Sequence, residues 1–201
     1  MARTLIHLST DPNLKLMTPR IPNNRLTYTG YENATIPRIC FAPSINSALA
    51  AAPPVKTGVV LYVYTPTSID PKAVYKPSTK EVPDSSHTHE IWYLKPCTVK
   101  KIGAIIVGDI IRAKYWEPKE RKGHYDLEWY TYKHLRDPMD KQEIDRYLKK
   151  QPMYMQKQRE LQQQQSDIKS ARLKGIIGGA LAATGGIAIF NLIGNKLSRI
   201  K

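Results

Sequence analysis

Residues 175–194, GIIGGALAATGGIAIFNLIG, are twenty consecutive positions without a charge, flanked by Lys174 on one side and by Lys196, Arg199 and Lys201 on the other. As a helix, such a stretch extends about 30 Å, close to the hydrocarbon thickness of a bilayer. A soluble helix of that length normally carries a polar stripe. Apart from glycines, the polar members here are Thr184 and Asn191 alone. Gly175, Gly178, Gly179, Gly185 and Gly186 each weaken a helix in water by about 1 kcal/mol relative to Ala. Small residues four apart, Gly175/Gly179/Ala183 and Gly178/Ala182/Gly186, suit helices whose backbones approach closely, in lipid or inside a protein assembly. Membrane insertion, packing within a homo-oligomer and an ordinary core helix are the three surroundings open to it, and the first fits best. Everything before it is polar and basic, so the chain divides into a head and an apolar tail.

The net charge is +14, and from Ile168 onward there are six basic groups and no acid. That strip favours anionic lipid head groups or phosphate backbones. The two cysteines, Cys40 and Cys97, lie in apolar strand-like surroundings without a C-x-x-C spacing. They read as buried free thiols in a reducing compartment. His87 and His89 are the one close histidine pair, and no cysteine or carboxylate cluster completes a zinc site around them, so no metal is expected. A chain of 201 residues holds one domain of about 110–140 residues plus appendages. The divisions expected are a domain over 1–136, an amphipathic and Gln-rich helical linker over 137–173, and the basic-flanked apolar helix over 174–201.

Within the head, residues 3–9 form a short apolar run, and a long Pro- and Asn-rich loop follows. Residues 38–42 predict a buried strand, and Ser44 is placed to cap a short alanine-rich helix that Pro53 and Pro54 stop. Residues 58–65 predict a strand, 66–88 a loop, and 90–94 another strand that Glu90 opens. Residues 97–106 predict a further strand, and 109–116 with 124–134 a hairpin. Residues 139–150 predict an amphipathic helix capped by Asp140, with Ile144, Tyr147 and Leu148 on one face. The segment 153–172 predicts a polar helix. The aromatic and basic residues of the hairpin could stack single-stranded nucleic acid, but packing between its strands explains them better.

Three segments stand out together: the first strand, Leu5-Ile6-His7-Leu8-Ser9-Thr10; the strand-to-helix unit RICFAPSINSALAA; and VPDSSHTHEIWYL, in which Glu90 follows a proline-rich loop. The arrangement resembles the ADP-ribosyltransferase fold, in the lineage whose first-strand motif is a histidine followed by a small polar residue. It is also similar to small bacteriophage-encoded proteins. The resemblance covers about residues 1–135. It implies an α+β domain with a split antiparallel β-sheet, to which the residues themselves add a β-hairpin extension and C-terminal helices, one of them apolar and Gly-rich.

The resemblance further implies NAD as co-substrate, with His7 on the ribose and Ser9 or Thr10 near the adenosine. Ser44 would support the nicotinamide pocket, Tyr28 or Tyr31 would stack on nicotinamide, and Glu90 would be the catalytic glutamate. Where many protein-modifying members carry a second Glu or Gln two positions before the catalytic one, this chain has Thr88. Cleaving the nicotinamide–ribose bond develops positive charge on the sugar, which a nearby carboxylate stabilises. The function so implied is an effector of phage type that acts on a host protein or nucleic acid acceptor, with a membrane-active tail. The alternative is a non-enzymatic virion structural or ejection protein that oligomerises through its C-terminal helices. In either case residues 168–201 would meet a membrane or other virion proteins, and the location would be the virion or the host cell membrane.

Overall fold

The computed structural model describes residues 4–22, 32–52, 55–116 and 125–178. The chain divides into two compact units, Met1–Met155 and Gln156–Lys201. The first is mixed α+β, and all its strand pairs are antiparallel.

Its larger sheet is built on β4 (Val60–Pro66) and the long β7 (Cys97–Trp116). β1 (His7–Ser9) pairs with β4, while β2 (Leu16–Met17) and β8 (Tyr125–Leu135) pair with β7. The smaller sheet has the order β3 (Ile39–Phe41), β6 (Ile91–Tyr93), β5 (Val74–Tyr75). The two sheets meet at one bridge, where Ile6 and Ala42 exchange backbone hydrogen bonds of 2.8 and 2.9 Å. That bridge sets the first strand beside the edge of β3.

The central strands are apolar on both faces because helices cover both. On one face Leu61, Val63, Ile105 and Val107 pack with Leu49 of α1 (Ile45–Ala51). On the other, Ala104 and Ile106 pack with Leu148 of α3 (Lys141–Leu148), supported by Ile144 and Tyr147. A strand sandwiched in this way loses polar alternation and reads as a continuous apolar run. A third cluster, including Leu5, Ile39, Phe41, Ile91, Tyr93 and Val99, fills the space under the small sheet.

Both helices carry the caps expected of them. Ser44 Oγ accepts the Ser47 N–H, and Asp140 accepts from the backbone N–H groups of Gln142 and Glu143. Glu143 then binds Lys133 Nζ at 2.6 Å and the Arg136 N–H at 3.2 Å, tying α3 to β8.

Several elements depart from the sequence reading. The first strand spans 7–9 rather than 5–10, and residues 97–116 form one strand rather than two. Gly108 and Asp109 do not end that strand; they sit at a register shift between Val107 and Ile110, and such bulges re-aim a side chain without breaking the ladder. The 66–88 segment holds a 3-10 turn (Pro71–Ala73), β5 and the one-turn helix α2 (Ser85–Thr88). Pro152, between the two helices expected from the sequence, is the first residue of α4 (Pro152–Gly178), where its missing N–H costs nothing. In the second unit α4 continues as a helix whose residues through 169 are nearly all exposed, with Gln156–Glu160 and Gln163–Asp167 side-chain bonds. Among the described residues no helix is long and apolar enough to cross a membrane. Most of the apolar stretch, from residue 179 on, lies outside them.

The bulge fastens the base of α4. Buried Asp109 accepts the N–H groups of Met153 at 2.6 Å and Tyr154 at 3.1 Å, acting as a cap supplied from the sheet. Gln151 Oε1 accepts from the Asp109 N–H and from Thr131 Oγ. A Cβ at Gly108 would overlap Thr131 Oγ1, Tyr147 Oη and Gln151 Oε1. Gly108→Ala is therefore expected to destabilise the protein by about 2–3 kcal/mol through overpacking and lost hydrogen bonds. Urea unfolding of the variant beside Gly103→Ala checks this, since nothing lies within 4 Å of a Cβ at Gly103.

Candidate functional site

Side chains alternate across a strand. On the small sheet, Ile39, Phe41, Ile91 and Tyr93 point into the core. The opposite face therefore takes Arg38 and Cys40 from the β3 strand and its start, Glu90 and Trp92 from β6 and its start, and Tyr75 from β5. Register sets Cys40 opposite Trp92, and Trp92 opposite Tyr75. The result is a row of polar and aromatic groups across three strands.

Glu90 is 8% exposed and accepts the Trp92 indole N–H at 2.6 Å. The Cys40 thiol also reaches it. Burial raises the Glu90 pKa, and the Glu32 carboxyl adds to this. The contacts with Cys40, Trp92 and Arg38 act in the opposite direction. The residue before it, His89, has φ 53°, the left-handed backbone that a non-glycine residue adopts at a cost of about 1–2 kcal/mol. It follows α2 and turns the chain sharply into β6, so the aim of Glu90 is set by a strained joint.

Arg38 is 1% exposed and holds the turn that leads into β3. Its Nη1 donates to the carbonyls of Asn33 at 2.8 Å and Ile36 at 3.1 Å, and its Nη2 bonds Glu32. The guanidinium lies 4.1 Å from the Trp92 ring centroid, a cation–π contact. Its Nε–H lacks an acceptor in hydrogen-bond geometry among the described residues. The Cys40 thiol that reaches the guanidinium is only a weak acceptor. Asn33 fastens the same turn to the next loop, donating its N–H to the Glu81 carbonyl at 2.8 Å.

His7, from the larger sheet, meets the backbone of β3. Its Nδ1 lies 3.0 Å from the Cys40 carbonyl, and its ring meets Phe41 edge-on. A carbonyl only accepts, so Nδ1 carries the proton. Burial lowers the His7 pKa, the Cys40 hydrogen bond opposes that, and the Arg20 charge lowers it further. The ring is thus held neutral with Nε2 as an acceptor.

The other expected site residues fall as follows. Ser9 Oγ accepts the Asp11 N–H at 3.1 Å, and Thr10 is exposed beside it. Ser44 is the α1 cap and also donates to Ser47 Oγ. Tyr28 and Tyr31 lie outside the described residues. Arg38, Cys40, Trp92, Glu32 and Asp84 went unread as site residues. The one signal in the sequence was two-residue alternation in Arg-Ile-Cys and Glu-Ile-Trp.

Asp84 joins Glu90 and Glu32 in an acidic group. It is half-buried, and its pKa is pushed up to about 7 by burial, then by the neighbouring Glu90 and Glu32 carboxyls. Thr88 Oγ donates to its backbone carbonyl at 3.2 Å. No protein-family model, curated protein or solved structure matches this chain.

The Asp84 displacement has a definite sign. A carboxyl whose pKa is raised on folding holds its proton more tightly in the folded state. Its ionisation therefore costs stability as pH rises from about 4 to about 7. Asp84→Asn removes that cost. The variant is expected to match wild type near pH 4 and to exceed it by up to about 4 kcal/mol at pH 8, at about 1.4 kcal/mol per pH unit. His7 has the opposite slope, because its lowered pKa makes stability fall as pH drops below 6.5. Urea midpoints of both proteins between pH 4 and 8 measure the difference.

Proposed function

We propose that the head is an ADP-ribosyltransferase-like domain that binds NAD between His7 and Glu90 and transfers its ADP-ribosyl group. The observation that carries this reading is their common anchor. His7 grips the Cys40 carbonyl, and Glu90 meets the Cys40 thiol. Two groups from different sheets are thereby fixed on one residue at the junction of the sheets.

The chemistry follows from their protonation. Neutral His7 offers Nε2 to a ribose hydroxyl, which donates to it. Ionised Glu90 stabilises the positive charge that grows on the ribose carbon as the bond to nicotinamide lengthens. That C–N bond breaks, nicotinamide leaves with the electron pair, and an acceptor oxygen or nitrogen bonds to the carbon and loses its proton. The strained His89 backbone before Glu90 also supports this assignment, since such strain clusters at functional sites. Ser9 and Thr10 remain suited to the adenosine side, and Tyr31 to the nicotinamide.

NAD is expected to raise the melting temperature of wild type, and His7→Ala to abolish that protection. Glu90→Gln should retain binding and release nicotinamide about 10²- to 10³-fold more slowly. Because burial raises the Glu90 pKa, wild-type kcat/KM is expected to fall with acidification at a pH above the ordinary carboxylate range. A folded wild type that shows no thermal response to NAD overturns the reading.

For the tail we propose insertion in a membrane, supported by the uncharged 175–194 stretch and its basic flanks. Full-length protein is expected to float with liposomes of anionic lipid, while a chain ending at Ser170 stays in the aqueous fraction. Full-length protein left in water as a defined oligomer favours the virion assembly reading instead.

A further inference from the structure

We propose that Arg38 is the positioning residue of the candidate site: it fixes the aim of Glu90 through the Trp92 ring and the Cys40 thiol without touching the ligand itself. The inference rests on the NAD reading for its catalytic consequence, but its geometric part stands apart from it.

Arg38 and Trp92 are the two largest wholly enclosed side chains among the described residues, at 1% and 0% exposure. The planar guanidinium covers the Trp92 ring at 4.1 Å, and the edge of the same ring donates its N–H to Glu90 at 2.6 Å. A displacement of the cation therefore tilts the donor that holds the carboxyl. The second link runs along β3. Arg38 and Cys40 are two residues apart on one face, and the thiol reaches both the guanidinium and Glu90.

At its other end Arg38 gathers the turn over residues 32–36 through the Asn33 and Ile36 carbonyls and the Glu32 carboxyl. One buried cation thus joins the loop ahead of β3, the floor of the site and the orientation of its carboxyl. Lysine does not supply this combination, because it lacks both the planar face and the fork of donors.

The charged and titratable groups facing Glu90 are Arg38 and Cys40 from β3, Glu32 from the turn and Asp84 from the α2 cap. Arg38 is the one cation among them, so its removal shifts Glu90 toward the protonated form.

The test uses full-length protein labelled with ¹⁵N-tryptophan, the Trp92 indole resonance being assigned with Trp92→Phe. In wild type that resonance should titrate with Glu90. In Arg38→Gln the midpoint is expected to rise by at least about half a pH unit. Arg38→Lys, which keeps the charge but loses the flat face, should move the resonance at every pH. Where wild type cleaves NAD, both variants should lose roughly tenfold or more in kcat with little change in KM.

Folded variants with the wild-type indole resonance and midpoint overturn the proposal. So does loss of the folded state in both, which would make Arg38 a purely structural arginine. If the resonance moves as expected while wild type neither binds nor cleaves NAD, the positioning role holds and the NAD reading falls.

Discussion

A guanidinium taken out of water must be met on its face as well as at its edge. Arg38 is met on both, by the Trp92 ring and by the carbonyls and carboxyl of the turn before β3. The alternative, an enclosed charge without partners, costs several kcal/mol. Once this cation is placed, much of the surrounding structure follows. The 32–36 turn must close over it, and the Asn33 link to Glu81 draws in the 78–82 turn. That turn in turn holds Tyr75, whose hydroxyl donates to Glu81 at 2.6 Å and whose ring stacks on Trp92 with centroids 5.5 Å apart. The 32–36 and 78–82 turns are thus tied to each other and to the Trp92 end of the small sheet.

What the sequence revealed and what it hid divide along the range of the forces involved. Ser44 and Asp140 cap their helices with donors two or three residues away, so both helices were legible. So were β4 and β6, whose β-branched and aromatic runs need no distant partner to announce themselves. β2 and β5, two residues each, exist only because β7 and β6 lie alongside, and nothing local marks them. Asp109 is expected from the sequence to open a new strand, because aspartate seldom sits inside one. Its acceptors are used by Met153 and Tyr154, more than forty residues on, and a strand can keep a carboxylate whose bonds are supplied from elsewhere. Arg38 was hidden for the same reason. The buried strand expected over 38–42 includes it, but only the fold reveals the turn and the ring that enclose its charge. Glu90 and His7 drew attention by residue type and position, but their meeting at Cys40 is a property of the sheet junction.

Two distinct supports hold the rest of the first unit. The large sheet depends on apolar burial from both sides, with α1 on one face and α3 on the other. Polar accounting at the bulge then locates α3 and the base of α4, because Gly108 leaves room for the hydroxyls and amide that converge there. The first support is nondirectional and tolerates exchange among similar side chains. The second is directional and does not. A chain organised in this way can vary much of its apolar core while keeping Gly108, Asp109 and Gln151 fixed.

The same contrast bears on the candidate site. The negative charges of Glu32 and Glu90 disfavour ionisation of Asp84, while Arg38 faces Glu32 and Glu90. The Asp84 pKa is driven up to about 7 by burial and by the neighbouring carboxyls, and the residue lacks a side-chain cap bond of its own. Glu32 is bonded to Arg38, and Glu90 has the Trp92 indole and the Cys40 thiol in support of its charge. A proton on Asp84 removes one negative charge from beside Glu90. A carboxyl that must be both buried and ionised to stabilise a growing cation needs such a neighbour to take the proton in its place. On this argument Asp84 and Arg38 do complementary work: the one removes a competing negative charge, and the other holds the charge that remains.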